Sequence, residues 1–152
     1  MKHFKNILVP VDFSSHSDEA VRIAADLSHR YEGALTLVYV FQPVNYPMPE
    51  GYVLYTPNQI TELTQNFERL LVASKKLAED AGAVTVQTRL LQGLVTMELL
   101  EFARTQGADL IVMGTHGRTG LTHALLGSVA ERVLRKAPCP VLTVRTAEHK
   151  KA

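Results

Sequence analysis

A glycine-rich segment in the second half of the chain carries the residues best suited to chemistry. Its key members are three glycines and the serine that follows the last of them: Gly114, Gly117, Gly127 and Ser128. The segment follows an apolar run at residues 109–113 and precedes a helical pattern at residues 129–136. Glycine lets the backbone approach an anion closely, and the N–H groups at a helix start have no intrahelical partner. Because α/β proteins bind phosphates at such strand-to-helix turns, the segment predicts a nucleotide phosphate site.

The spacing indicates two anion contacts, one at residues 114–118 and one at the helix start, residues 127–129. Two common phosphate motifs are excluded, because the sequence has no Gly-Lys-Ser or Gly-Lys-Thr and no Gly-x-Gly-x-x-Gly after its first apolar run. Arg118 either pairs with phosphate or faces solvent, and the pattern leaves both open. Ser128 and Glu131 have the spacing of a capping box, in which Ser128 caps the helix and its hydroxyl can also reach a phosphate oxygen.

The elements around this segment are predicted from the spacing of apolar residues. Short apolar or alternating runs indicate strands at residues 7–11, 34–40, 84–90, 109–113 and 140–145. Patterns of helical period occupy the intervals, except that residues 41–57 contain four prolines and no period, which predicts a long loop. The alternation of strands and helices predicts an α/β fold with a mainly parallel sheet and helices on both faces. The strand at residues 84–90 is expected at the sheet edge, since it alternates apolar and polar residues.

The helix ends are predicted from small polar residues and glycines. The serine cluster at Ser14 and Ser15 is expected to cap the first helix, and Gly33 to close it. Thr96 is expected to cap the third helix, which ends before Gly107.

Asp12 is a second candidate site residue, because it directly follows the first apolar run. In parallel sheets, ligands bind at the carboxyl ends of the strands, where the strand order reverses. If the first and fourth strands are neighbours at that point, Asp12 and Gly114 lie at the same crevice. This convergence also favours a nucleotide site.

Composition restricts the class of protein. The length of 152 residues suits one domain, expected at residues 1–146 with a flexible basic tail at residues 147–152. Lys and Arg number 16 against 15 Asp and Glu, so no overall field recruits nucleic acid or a membrane. The single cysteine excludes an internal disulfide and fits a reducing compartment. Because there is no signal-peptide pattern and no apolar run of ~20 residues, we expect a cytoplasmic protein. The six histidines follow no metal-ligand spacing.

The same motifs resemble a known family. The spacing Gly-x2-Gly-x9-Gly-Ser, preceded by Asp-Leu-Ile-Val-Met and followed by Val-Ala-Glu-Arg-Val, closely resembles the ATP-binding type of universal stress protein domain. The opening Ile-Leu-Val-Pro-Val-Asp-Phe-Ser and the closing Ala-Pro-Cys-Pro-Val-Leu-Thr-Val-Arg are similar to the two ends of that family. The resemblance implies a three-layer α/β/α fold with a five-stranded parallel sheet in the order 3-2-1-4-5. It also implies ATP bound between the ends of strands one and four.

Carried onto this sequence, the resemblance implies two groups of nucleotide-binding residues. The residues expected at ribose and adenine follow the first two strands: Pro10, Val11, Asp12 and Val40. The residues expected at the phosphates are Gly114, Gly117, Arg118, Gly127, Ser128 and Val129. Met113 and His116 flank that pocket. A Mg²⁺ ion would be held by the phosphates together with the Asp12 carboxylate.

The resemblance further implies a homodimer through the last strand, residues 140–145, which begins at Pro140 and ends at Arg145. Pairing with a second copy would cover an apolar edge that is otherwise a liability. The implied function is that of an ATP-dependent regulator in the stress response, with an unknown protein partner.

Two other functions stay open. One is a slow ATPase or a self-phosphorylating enzyme, in which Ser128 or the nearby Thr119 or Thr122 takes the phosphoryl group. His116 or His123 would then position water or carry a proton. The other is a dimeric scaffold with an empty site, which the intact glycine motif argues against.

Overall fold

The computed structural model describes residues 3–43, 46–48, 51–53, 55–115 and 126–146. Along the chain, the strands are β1 (Asn6–Pro10), β2 (Ala34–Phe41), β3 (Tyr46–Met48), β4 (Gly51–Val53), β5 (Thr85–Gln92), β6 (Leu110–Gly114) and β7 (Val141–Val144). The helices are α1 (Ser15–Tyr31), α2 (Pro57–Asp80), α3 (Val95–Thr105) and α4 (Ser128–Lys136). Strands and helices therefore alternate as the sequence predicted, with two short strands added between β2 and α2.

β1 is the central strand of a five-stranded sheet with the order β5-β2-β1-β6-β7. Every neighbouring pair in that sheet is parallel. Counted along the chain without the two short strands, this order is 3-2-1-4-5, so the predicted topology is confirmed. The chain leaves β1 through α1 and returns as β2, which pairs with one side of β1. β6 pairs with the other side. The strand order therefore reverses at the boundary between β1 and β6.

Each face of the sheet supports its own apolar layer, because successive side chains of a strand point to opposite faces. On β1, Ile7 and Val9 pack with α1 and α2, and Leu8 packs with α3 and α4; all three are almost fully buried. Helix α1 contributes Ala20 and Ala24, both fully buried, to the first layer. These layers make the three-layer α/β/α arrangement that the resemblance implied.

The segment at residues 41–57 is not irregular throughout, which corrects the prediction of a long loop. β3 and β4 form a two-stranded antiparallel sheet in which Tyr46 pairs with Val53 and Met48 pairs with Gly51. Three residues per strand are too few to establish a period of two, and a proline inside β3 hides the strand pattern further. The edge position of β5 agrees with the prediction from its alternation.

Two predicted helix ends are also corrected. The residue that closes α1 in the left-handed conformation is Glu32, with φ 53°, and not Gly33. Gly33 instead lets the backbone at residue 33 lie close to the backbone of Phe4, since a Cβ at Gly33 would lie 2.4 Å from the Phe4 carbonyl oxygen. Helix α3 begins after Leu94, without a side-chain cap, so Thr96 lies inside its first turn.

We predict that Gly33→Ala destabilises the fold through this contact. The backbone of Phe4 and Lys5, just before β1, has to move away from the new methyl group. This should lower the free energy of unfolding by about 3 kcal/mol, the upper part of the usual range for overpacking. Gly107→Ala is the matched control, because Gly107 has φ +65° and open space around it. Gly107→Ala should lower the free energy of unfolding by only about 1 kcal/mol, because the alanine has to adopt the left-handed backbone conformation. Urea unfolding measures both, and an equal or smaller loss for Gly33→Ala contradicts the prediction.

Candidate functional site

A cavity of about 380 Å³ opens where β1, β2 and β6 end, at the point where the strand order reverses. This is where open parallel sheets bind ligands. Its described lining comes from the ends of the three strands and from the starts of α1, α3 and α4: Pro10, Val11, Asp12, Ser17, Val38, Tyr39, Val40, Val95, Leu99, Met113, Gly114, Thr115, Gly127, Ser128, Val129 and Ala130. The fold thus brings together segments that are more than 100 positions apart.

Most of the residues predicted for the site line this cavity. They are Pro10, Val11, Asp12, Val40, Met113, Gly114, Gly127, Ser128 and Val129. The other predicted site residues, His116, Gly117 and Arg118, lie outside the described residues, as do Thr119, Thr122 and His123. The predicted tail at residues 147–152 lies outside them as well.

The Asp12 carboxylate is held by the turn that leads into α1. Its Oδ1 accepts hydrogen bonds from the Ser14 N–H at 2.9 Å and from the Ser14 hydroxyl at 2.5 Å. The Ser14 Oγ in turn accepts from the Ser17 N–H at 3.2 Å, so Ser14 is the predicted cap of α1. The Asp12 N–H donates to the Ser17 Oγ at 3.3 Å. These bonds fix a carboxylate at the edge of the cavity.

The wall of the cavity beneath this carboxylate is apolar. Val40 and Met113 come from the sheet, and Val95 and Leu99 come from α3. Leu99 is fully buried and belongs to the apolar layer between the sheet and the helices α3 and α4. Among the described residues that line the cavity, Asp12 alone carries a charge. The arrangement suits a ligand with a flat apolar group and a hydroxyl that donates to Asp12.

The start of α4 also lines the cavity, and here the predicted capping box is wrong. Gly127 is the residue before the helix, with extended backbone angles, and Ser128 is the first helical residue. Among the residues that the structure describes, no side chain caps this helix. Glu131 does not reach back to the cap, and its carboxylate instead contacts Arg135 at 2.8 Å on the helix surface. The residue spacing fits a capping box, but the helix begins at Ser128, one residue earlier than a cap at Ser128 requires.

Helix α4 consequently presents backbone donors at the cavity. The first intrahelical bond runs from the Glu131 N–H to the Gly127 carbonyl at 3.0 Å. The N–H groups of the first three helical residues therefore have no acceptor inside the helix, and these residues line the cavity. A hydrogen bond of 2.8 Å from the Gly127 N–H to the Thr115 carbonyl holds this helix start beside the end of β6. Such a helix start favours an anion.

Gly114 has a packing role that the sequence did not reveal. A Cβ at this position would lie 3.2 Å from the backbone and Cβ of His16. The missing side chain therefore lets the end of β6 lie against the first turn of α1. The His16 ring is also hydrogen-bonded through Nδ1 to the Thr146 hydroxyl, beyond the end of β7.

An aromatic cluster adjoins the cavity and was missed from the sequence. It consists of Phe13, Tyr39, Phe41 and Phe67, from the β1–α1 turn, β2 and α2. Tyr39 also lines the cavity. Phe13 has φ +65°, an uncommon conformation for a residue with a side chain, and such strain costs about 1–3 kcal/mol. Residue spacing gives no signal that these rings meet, because they come from three separate segments of the chain.

The described residues contain no group of three or more His, Cys, Asp or Glu side chains placed to hold a metal ion. Within the same part of the chain, no helix is both long and apolar enough to cross a membrane.

Comparison with known proteins gives a consistent result over nearly the whole chain. The model of the universal stress protein family matches residues 3–145. Universal stress protein MJ0531 of Methanocaldococcus jannaschii is 40% identical over 146 residues, which cover 93% of this chain and 82% of that protein. The structure of the universal stress protein UspA from Lactobacillus plantarum is similar with a TM-score of 0.78 at 24% identity, over 95% of this chain and all of that one. A universal stress protein in complex with cAMP is similar with a TM-score of 0.73 at 26% identity, over 96% of this chain and all of that one.

We predict that Ser14→Ala loosens the turn that holds Asp12. It removes the cap of α1 and one of the two bonds to the Asp12 carboxylate, so the free energy of unfolding should fall by about 1 kcal/mol. Ser15→Ala is the control, because Ser15 is the exposed first residue of α1. Ser15→Ala should change the free energy of unfolding by no more than about 0.5 kcal/mol. Chemical denaturation distinguishes the two variants, and equal losses would mean that Ser14 has no special role.

Proposed function

The chain belongs to the universal stress protein family, and on that premise we propose that it binds ATP or another adenine nucleotide in the cavity described above. We further propose that the nucleotide regulates its interaction with a protein partner in the stress response of the cytoplasm. The observation that carries the proposal is the cavity itself, with one carboxylate, an apolar wall and an uncapped helix start at the point where the strand order reverses.

Each part of the cavity matches one part of an adenine nucleotide. The base would lie against the apolar wall that includes Val40 and Val95. A ribose hydroxyl would donate to the Asp12 carboxylate, and the phosphates would accept from the N–H groups at the start of α4. Gly117 and Arg118 of the glycine segment would complete the phosphate site, with a Mg²⁺ ion between the phosphates and Asp12. The similarity to a universal stress protein in complex with cAMP supports an adenine ligand.

Slow self-phosphorylation is a second candidate function, and it is favoured by one observation. Ser128 lines the cavity at the phosphate end, and its hydroxyl does not cap α4. That hydroxyl could accept a phosphoryl group from a bound ATP. Mass spectrometry of the protein after incubation with ATP and Mg²⁺ would detect the added phosphate on Ser128.

The nucleotide proposal is tested by extracting the purified protein and identifying what it releases, and then by adding ATP. We expect an adenine nucleotide in the extract. ATP at 100 times its Kd should raise the free energy of unfolding by about 2.7 kcal/mol, because the ligand binds only the folded state. Protein that releases no nucleotide and is not stabilised by ATP, ADP or AMP would favour the scaffold function instead.

A matched pair of variants locates the ligand in that experiment. Val95→Phe adds a ring to the half-buried wall of the cavity and should weaken ATP binding at least about tenfold, or 1.4 kcal/mol. Val72→Phe makes the same change on the exposed surface of α2, where Val72 is 65% exposed. It should leave binding unchanged. Equal affinities for the two variants would place the nucleotide elsewhere.

We also propose that two copies of the chain pair through β7. This strand is at the edge of the sheet, and its Leu142 is 38% exposed. The Pro140 carbonyl accepts from the Ile111 N–H of β6, and the Val144 carbonyl accepts from the Thr115 N–H directly after β6. Alternate residues of a strand bond to opposite neighbours, so the backbone groups of Val141 and Thr143 face away from β6. A second β7 strand could bond to them.

Thr143→Pro tests the dimer. It removes an outward N–H group without removing a bond to β6, and proline is tolerated on edge strands. Sedimentation velocity at micromolar concentration should give a dimer for the natural protein and for Thr143→Ala, and a monomer for Thr143→Pro. A monomeric natural protein, or a dimer that survives the proline, contradicts pairing through this strand.

A further inference from the structure

Phe13 has a backbone conformation that its own residue type disfavours. It lies between Asp12 and Ser14 with φ +65°, in the left-handed region. Among the described residues, the other non-glycine residue with positive φ is Glu32, which closes α1 and has the usual reason for that conformation. Phe13 precedes a helix, so capping does not explain it. A bulky residue keeps such a conformation only where its surroundings hold it.

The surroundings that hold Phe13 are aromatic. Its ring lies 4.8 Å from the Tyr39 ring and stacks on Phe67 with a centroid distance of 6.5 Å. Phe67 is itself held by Tyr39 at 4.6 Å and by Phe41 at 5.2 Å. The Phe13 side chain is thus anchored to β2 and to α2 at once. Aromatic pairs of this kind contribute beyond the area they bury.

The left-handed turn determines where the neighbouring carboxylate lies. Both bonds to the Asp12 Oδ1 come from Ser14, across Phe13. A change of Phe13 to negative φ would redirect the chain between these two residues and separate their partners. Phe13 is not among the described residues that line the cavity. Its ring therefore acts on a ligand only through its neighbours.

We propose that Phe13 is the residue that positions Asp12 for the ribose hydroxyls of the nucleotide. The inference rests on the proposed nucleotide site and goes beyond it, because it makes ribose recognition depend on the aromatic cluster. The ring holds the backbone in the left-handed conformation, the backbone holds the carboxylate, and the carboxylate accepts from the ribose. Loss of the ring should therefore affect only ligands that have ribose hydroxyls.

The experiment compares ATP with 2′,3′-dideoxy-ATP, which lacks both hydroxyls, by calorimetric titration of four proteins. The natural protein should bind ATP more tightly than the dideoxy nucleotide. Phe13→Ala keeps a side chain at a strained position but removes the ring, so ATP affinity should fall about tenfold while dideoxy-ATP affinity stays within twofold. Phe13→Gly removes the ring and also the backbone strain. Its affinity for ATP should therefore lie between the affinities of the natural protein and of Phe13→Ala.

The fourth protein is a control for the loss of an aromatic ring. Phe4→Ala removes a half-buried ring that packs on Tyr31 at 5.3 Å, at the other end of β1. It should lower stability and leave both affinities unchanged. Phe67→Ala offers a second route, since it removes the partner ring while residue 13 stays intact. It should also reduce the preference for ATP over the dideoxy nucleotide.

The outcomes separate this inference from the function on which it rests. A natural protein that binds neither nucleotide overturns both. A natural protein that prefers ATP, with Phe13→Ala binding it equally well, overturns the inference alone. Equal losses for ATP and dideoxy-ATP would also overturn it, because the ring would then act on the whole site. So would a Phe13→Gly variant that binds ATP no better than Phe13→Ala.

Discussion

The pairing of β1 with β6 is the constraint on which the rest of the structure depends. The two strands are far apart in sequence, and their start is joined by the Asp109 carboxylate, which accepts from the N–H groups of Lys5 at 2.8 Å and Asn6 at 3.0 Å. The Asp109 N–H donates to the Asn6 carbonyl at 3.0 Å. With the register fixed at this end, the other ends of the two strands meet. The cavity exists because of that meeting.

Close packing of α1 against the sheet then forms one side of the cavity. Small residues make this approach possible, namely the alanines of α1 and Gly114 at the end of β6. The first turn of α1 therefore lies directly beside β6. Ser14 caps that turn and also donates to the Asp12 carboxylate, so the same serine starts the helix and holds the carboxylate.

The cavity has both an apolar wall and polar groups within a small volume. Its apolar wall is continuous with the layer that holds α3 and α4 on the sheet, because Leu99 belongs to both. Its polar groups include one carboxylate and the backbone donors of a helix start. At the start of α4, the first N–H groups have no acceptor inside the helix and, among the described residues, no capping side chain. This feature costs stability unless water or a ligand satisfies it, which is consistent with a site built for an anion.

The amino-acid sequence by itself determined the class of fold, the order of its main elements and most of the cavity lining. Buried strands such as Ile7 to Val9 and the glycine spacing around Gly127 are local patterns, and local patterns are legible along a chain. Tertiary structure alone decided how Ser128 and Gly114 are used. It made Ser128 a helical residue and not a cap, and it gave Gly114 a contact with His16. It also brought Phe13, Tyr39 and Phe67 together. These facts depend on where separate elements meet, and spacing within one element carries no information about such meetings.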